Sequence, residues 1–105
     1  MSVNKVILLG NVGADPRMHY PTKDNQMAFF SLATNERNGG IERTEWHNIV
    51  MTGKNAETAE KLIRKGTRLY LEGKLRTRSY TDKLGIQRYI TEIYVDTFEL
   101  LGRNT

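Results

Sequence analysis

A chain of 105 residues has the length of one domain, spanning 1–105, and can bury about 65% of the surface its unfolded form exposes. Sixteen Lys and Arg against twelve Asp and Glu give a net charge of +4, which favours anionic partners with nucleic acid first among them; no stretch approaches the ~20 apolar residues that span a bilayer, and no basic amphipathic helix is evident, so a membrane partner is excluded. The absence of cysteine excludes disulfides, thiolate nucleophiles and cysteine-ligated metals, and with no charged-then-apolar leader at the amino terminus a cytoplasmic protein is expected.

In chain order, Asn4 to Gly13 reads as a first strand in which Val6 and Leu8 fall on one face and Ile7 and Leu9 on the other. A small sheet buries only one face in its own core, so the second apolar face predicts a subunit contact, assigned to Val6 and Leu8. The modest hydrophobic fraction of 38% fits burial shared between subunits. Asp15-Pro16 and Pro21 predict a turn region. Met27 to Asn35 reads as a second strand, Asn38-Gly39-Gly40 as a hairpin tip, and Glu42 to Thr52 as a third strand paired antiparallel with the second.

The period then changes. Ala56, Ala59, Leu62 and Ile63 share one helical face, with Asn55 as the predicted N-cap and Gly66 as the left-handed stop. Thr67 to Arg78 alternates, Leu69, Leu71, Gly73 and Leu75 against Arg68, Tyr70, Glu72, Lys74, Arg76 and Arg78, and reads as a fourth, half-buried strand. Tyr80 to Gln87 carries the turn residues Asp82 and Gly85, and Arg88 to Leu101 returns as a fifth strand. Three strands, a helix and two strands predict an all-β fold: a five-stranded Greek-key barrel of the OB type, with one α-helix between strands three and four.

On the outer face of the fourth strand, Lys74, Arg76 and Arg78 recur roughly 6.5–7 Å apart, a spacing suited to successive phosphates of a single nucleic-acid strand. A solvated charged face would read the same way. The aromatics distinguish the two, because sequence-tolerant single-strand binders combine a basic groove with flat side chains on which bases stack. Tyr80 follows the basic strand, and Trp46 shares parity with the polar Asn48 and Thr52. A lone Trp is commonly a core residue, and Tyr20, Tyr70, Tyr89 and Tyr94 are open between packing and interface roles. His19 and His47 have no metal-ligand spacing, and neither Ser31 nor Ser79 lies in a nucleophile elbow, so no enzyme, metal or cofactor is predicted. Gly10-Asn11-Val12-Gly13 lacks the Lys-Ser/Thr ending and following helix of a phosphate loop and reads as a strand bend.

With these segments in hand, the whole chain resembles the DNA-binding domain of bacterial single-stranded DNA-binding proteins. The resemblance is carried by Val3-Asn4-Lys5-Val6-Ile7-Leu8-Leu9-Gly10-Asn11 with Asp15-Pro16, then Ser31 to Arg37, Thr44-Glu45-Trp46-His47, Arg64-Lys65-Gly66, Leu69 to Gly73 and Leu75-Arg76-Thr77-Arg78. It implies a homotetramer of OB-folds, associated with the nucleoid, that coats single-stranded DNA during replication, recombination and repair. It further implies base stacking on Trp46 and Tyr80, phosphate contacts from Lys5, Lys54, Lys65, Arg76, Arg78 and Arg88, to which the strand spacing adds Lys74, and subunit contacts at His47 and Tyr70.

The chain departs from that pattern where stacking aromatics are expected near Asn38 and at Thr52. It also ends at Arg103-Asn104-Thr105, without the flexible linker and acidic tip by which relatives recruit replication and repair proteins, so such partners are not expected here. An accessory OB-fold protein of replication restart, or a phage- or plasmid-type variant that mainly holds protein partners, is the alternative reading. Competition between partner and oligonucleotide for one surface distinguishes it.

Overall fold

The computed structural model describes residues 1–103; Asn104 and Thr105, on which the expectation about the carboxyl-terminal tip falls, lie outside the described residues. The order is β1 (Val6–Val12), β2 (Arg17–Thr22), β3 (Asn25–Asn38), β4 (Ile41–Thr52), α1 (Gly53–Leu62), β5 (Thr67–Thr81) and β6 (Gln87–Arg103). The strands run β1-β5-β6-β4-β3-β2, and a β1–β3 pairing closes them into a barrel. All pairings are antiparallel except β4 with β6, where Asn48, Ile49 and Val50 face Glu92, Ile93 and Tyr94 in parallel. This is the expected OB architecture, with the helix before the last two strands, but six strands stand where five were predicted.

The extra strand arises at Pro16. Proline donates no ladder hydrogen bond, and the chain leaves the sheet between Gly13 and Pro16, so the first barrel strand is split into β1 and β2. Both halves pair with β3, β1 through Asn11↔Ala33 and β2 through Arg17↔Phe29. The predicted turn region around Pro21 is therefore strand. Pro21 is tolerated because β2 lies at the sheet edge and its register shifts between His19 and Thr22.

Ala28, Phe30, Leu32, Ile49, Met51, Leu69, Leu71 and Ile93 fill the barrel, and Ala56 and Ala59 of α1, with Ile63 at its C-cap, pack against them. Leu62, predicted on that helical face, points to solvent. The N-cap is Thr52 rather than Asn55, whose amide instead donates to the carbonyls of Val95 and Asp96, tying the helix to β6. The helix ends at Leu62, before Gly66, which has φ 88° and donates its N–H to Val12 O at 2.8 Å.

A second correction concerns the first strand. Val6 and Leu8 pack against the barrel core, and the apolar side chains left outside are Ile7 and Leu9, 59% and 46% exposed. The outward apolar face of β1 is therefore that of Ile7 and Leu9, not that of Val6 and Leu8. Strand alternation guaranteed two faces, but which one turned inward was set by the register with β5, which puts Leu8 opposite Leu71 and Leu9 opposite Tyr70.

Candidate nucleic-acid interface

The pairing register assembles one continuous outer face from four strands. Ala33, Ser31 and Phe29 of β3 lie beside Trp46, Asn48 and Val50 of β4; Glu92 and Tyr94 of β6 follow, and Arg76 and Lys74 of β5 close the rows. Trp46 is 60% exposed on this face. Its indole lies across Gly13, where an added Cβ would stand 2.5 Å from the ring and 2.8 Å from Ser31 Oγ. Gly13 does not adopt a positive φ, so its lack of a side chain serves the ring above it, a role the strand-bend reading missed. Gly13→Ala should shift Trp46 emission and weaken oligo-dT affinity about tenfold, the loss of one stacked base, while unfolding at nearly the wild-type temperature; unchanged emission and affinity would show that the ring does not depend on this seat.

Tyr80 is on the same parity of β5, paired with Arg88, 45% exposed and with the Arg78 guanidinium 5.9 Å from its ring centre. It lies in strand, not in the turn-bearing segment read from Tyr80 to Gln87, because β5 and β6 continue as an arm to the turn at Asp82–Ile86. Asp82 organises that turn, accepting the N–H groups of Leu84 and Ile86 at 2.9 Å and the Arg88 guanidinium at 2.9 Å. The Ile86 N–H first, and Arg88 next, hold the Asp82 carboxyl below its usual range.

The predicted phosphate-contacting cations separate into two sets. Arg78 Nε donates to Glu92 at 2.9 Å, a carboxylate only 3% exposed, and this bond chiefly raises the guanidinium pKa. Arg88 is held by Asp82, Lys5 by Glu72 at 2.7 Å, and Lys74 lies 4.0 Å from Asp96. These four keep internal counter-charges, which dilutes the field they offer an incoming phosphate. Among the described residues Arg76 has no carboxylate partner, and it rests over the Tyr94 ring at 4.8 Å. Lys54 is exposed on the first turn of α1, and Lys65 is exposed beside the β1–β2 junction, its N–H bonded to Asp15 at 2.8 Å.

Lys5 is brought not to Trp46 but to the Ile7 and Leu9 surface, where Tyr70 donates to Glu72 at 2.7 Å. Hydrogen bonds from Lys5 and Tyr70 depress the Glu72 pKa, and the same carboxylate raises those of Lys5 and Tyr70. His47, predicted as a subunit contact together with Tyr70, bonds Thr34 at 2.8 Å on β3–β4 instead of joining that cluster. Tyr20 bonds Glu60 and fastens β2 to α1, and Tyr89 stands 70% exposed on the arm.

Beyond Gly13, residues absent from the predicted set are Arg17, Phe29, Asn48 and Tyr94. Arg17, Phe29, Ser31, Asn48, Arg78 and Glu92 border an open groove of about 420 Å3 beside Trp46. Parity along MAFFS put Phe29 and Ser31 on one face, but nothing in the sequence said that this face continues that of Trp46. Among the described residues, no cluster of His, Asp and Glu is arranged to hold a metal ion, and no helix is long and apolar enough to cross a membrane.

Residues 3–101 match the model of the single-strand binding protein family. Across its full length the chain is similar to the single-stranded DNA-binding protein of Bacteroides thetaiotaomicron, with 54% identity over 115 aligned residues that cover 71% of that protein.

Proposed function

This chain belongs to the single-strand binding protein family and binds single-stranded DNA, and from that premise we propose that it does so without regard to sequence, as a non-catalytic coat, through the face that carries Trp46. The observation that carries this reading is Trp46 itself: a large ring left 60% exposed, seated on a glycine, on the same outer face of the barrel as Arg76, Arg78 and Tyr80. Bases stack on Trp46 and Tyr80, because every base has a π-face and stacking needs no hydrogen-bond code. Arg76, Arg78 and Lys65 meet phosphates. Arg78 is held in place by Glu92, which positions its guanidinium while offsetting part of the field it offers a phosphate.

The working unit is the homotetramer general to the family, and it serves replication, recombination and repair by covering exposed strands. Its subunit contact uses Ile7 and Leu9 with Tyr70, since two apolar side chains side by side on an outer strand gain most from being covered by a copy of themselves.

Titration of Trp46 emission with poly-dT tests the reading. Emission should be quenched on binding, and log affinity should fall with log salt by about 0.7 for each phosphate neutralised. With Lys5, Lys74, Arg78 and Arg88 already partnered, the slope should correspond to fewer phosphates than the seven predicted cations. An affinity indifferent to salt, or equal for duplex, would count against it.

A further inference from the structure

One row of the outer face is built unlike the rest. Phe29 of β3, Val50 of β4 and Tyr94 of β6 stand side by side in register, and Arg17 of β2 pairs with Phe29. Val50 has the outer-face parity of Trp46 and Asn48 and lies outside the barrel core cluster, yet it is only 1% exposed. A side chain on the outside of a sheet is dry only if its neighbours roof it, and the two residues paired with Val50 on either side are aromatic. Each of those rings in turn carries a guanidinium, Arg17 5.3 Å from the centre of Phe29 and Arg76 4.8 Å from that of Tyr94. A flat cation resting on a ring occupies the position a stacked base would take.

We propose that Phe29 and Tyr94 form a second base-stacking station, covered by Arg17 and Arg76 in the free protein and opened when the two guanidinium groups turn to the phosphates of a bound strand. The inference rests on the single-stranded DNA reading above and extends it to a subsite. The exchange is favourable because base-on-ring stacking is stronger than an exposed cation–π contact, and because each displaced arginine gains a phosphate partner. The row lies four residues along β4 from Trp46, about 13 Å at strand rise, with Ser31, Asn48 and Glu92 between. A strand crossing from Trp46 to this row would run along the groove, past Arg78.

The test compares wild type with the Phe29→Leu/Tyr94→Leu double variant on dT oligomers of about four and about fifteen nucleotides, the span of site sizes known for such barrels. Trp46 quenching is the readout. The short oligomer should bind both proteins alike, and the long one should bind the variant about 100-fold more weakly, about tenfold for each lost ring. Phe29→Tyr and Tyr94→Phe, which keep the rings, should bind as wild type. If the double variant does not fold, photo-crosslinking of 5-iodo-deoxyuridine oligomers to the unaltered protein decides, with adducts expected at Phe29 or Tyr94. Wild-type affinity of a folded double variant, or crosslinks confined to Trp46 and Tyr80, would overturn the proposal. If the wild type itself fails to bind dT or to quench, the broader DNA-binding reading is what fails.

Discussion

Removing both exposed rings, in Trp46→Ala/Tyr80→Ala, should lower the affinity for oligo-dT by about 10²–10³-fold while leaving the folded state intact. Each stacked base is worth about 1–3 kcal/mol by alanine substitution, and tenfold in affinity is about 1.4 kcal/mol. Both rings lie outside the barrel, at 60% and 45% exposure, so truncation opens no core cavity and unfolding temperature should barely move. Trp46 should supply the larger share, since it stands on the four-strand face of the barrel and rests on Gly13, whereas Tyr80 stands out on the β5–β6 arm beside Arg78. The double variant has no tryptophan, so binding is read by calorimetry or by the anisotropy of a labelled oligomer. Unchanged affinity would move the DNA path off this face.

Gly73→Ala should destabilise the barrel by about 3 kcal/mol, the upper end of what overpacking costs in a closely packed interior, and lower the unfolding temperature by roughly 10–20 °C. A Cβ at Gly73 would come within 2.2 Å of Tyr94 O and 2.9 Å of its carbonyl carbon, and backbone atoms in a paired strand cannot yield as a side-chain tip can. Gly73 lies at the bulge where the β5–β6 register shifts, Glu72 facing Thr97 and Gly73 facing Val95, and close backbone approach is the usual reason for glycine inside a strand. Gly10, whose Cβ would be 2.2 Å from Ala33 O where β1 passes from β5 to β3, should behave alike. Gly39→Asn is the contrasting case. That residue has φ 60° in a two-residue turn with open space around it, a conformation asparagine accepts, and the change in stability should be small. Thermal denaturation of the three variants checks the order; a Gly73→Ala protein as stable as wild type would mean that the bulge can relax.

The barrel class, the helix and its place before the last two strands were legible because periods of 2.0 and 3.6 are local properties of the chain. The hairpin at Gly39-Gly40 was legible because the turn needs positive φ at both positions. Asn55 was misread because Asn is an acceptable cap in isolation, and only the docking of α1 beside β6 offers it the carbonyls of Val95 and Asp96. At the candidate site, Trp46 and Tyr80 could be named from residue type, strand parity and resemblance. The cations could be named but not their state, because a lysine in sequence shows its charge and not its partner. Glu72, Glu92 and Asp96 take up Lys5, Arg78 and Lys74 only once β1, β5 and β6 are aligned.

The sequence by itself determined the alphabet of this protein: which segments alternate, which one is helical, where glycine must bend the chain, and that a basic, aromatic surface exists to meet nucleic acid. These follow from interactions between residues a few positions apart. The tertiary structure alone decided which face of each strand looks outward and what lies beside it. A slip of one residue reverses every side chain on a strand, so Ile7 and Leu9 rather than Val6 and Leu8 are left for a subunit contact, Gly13 comes beneath Trp46, and Phe29, Val50 and Tyr94 from three strands stand in one row.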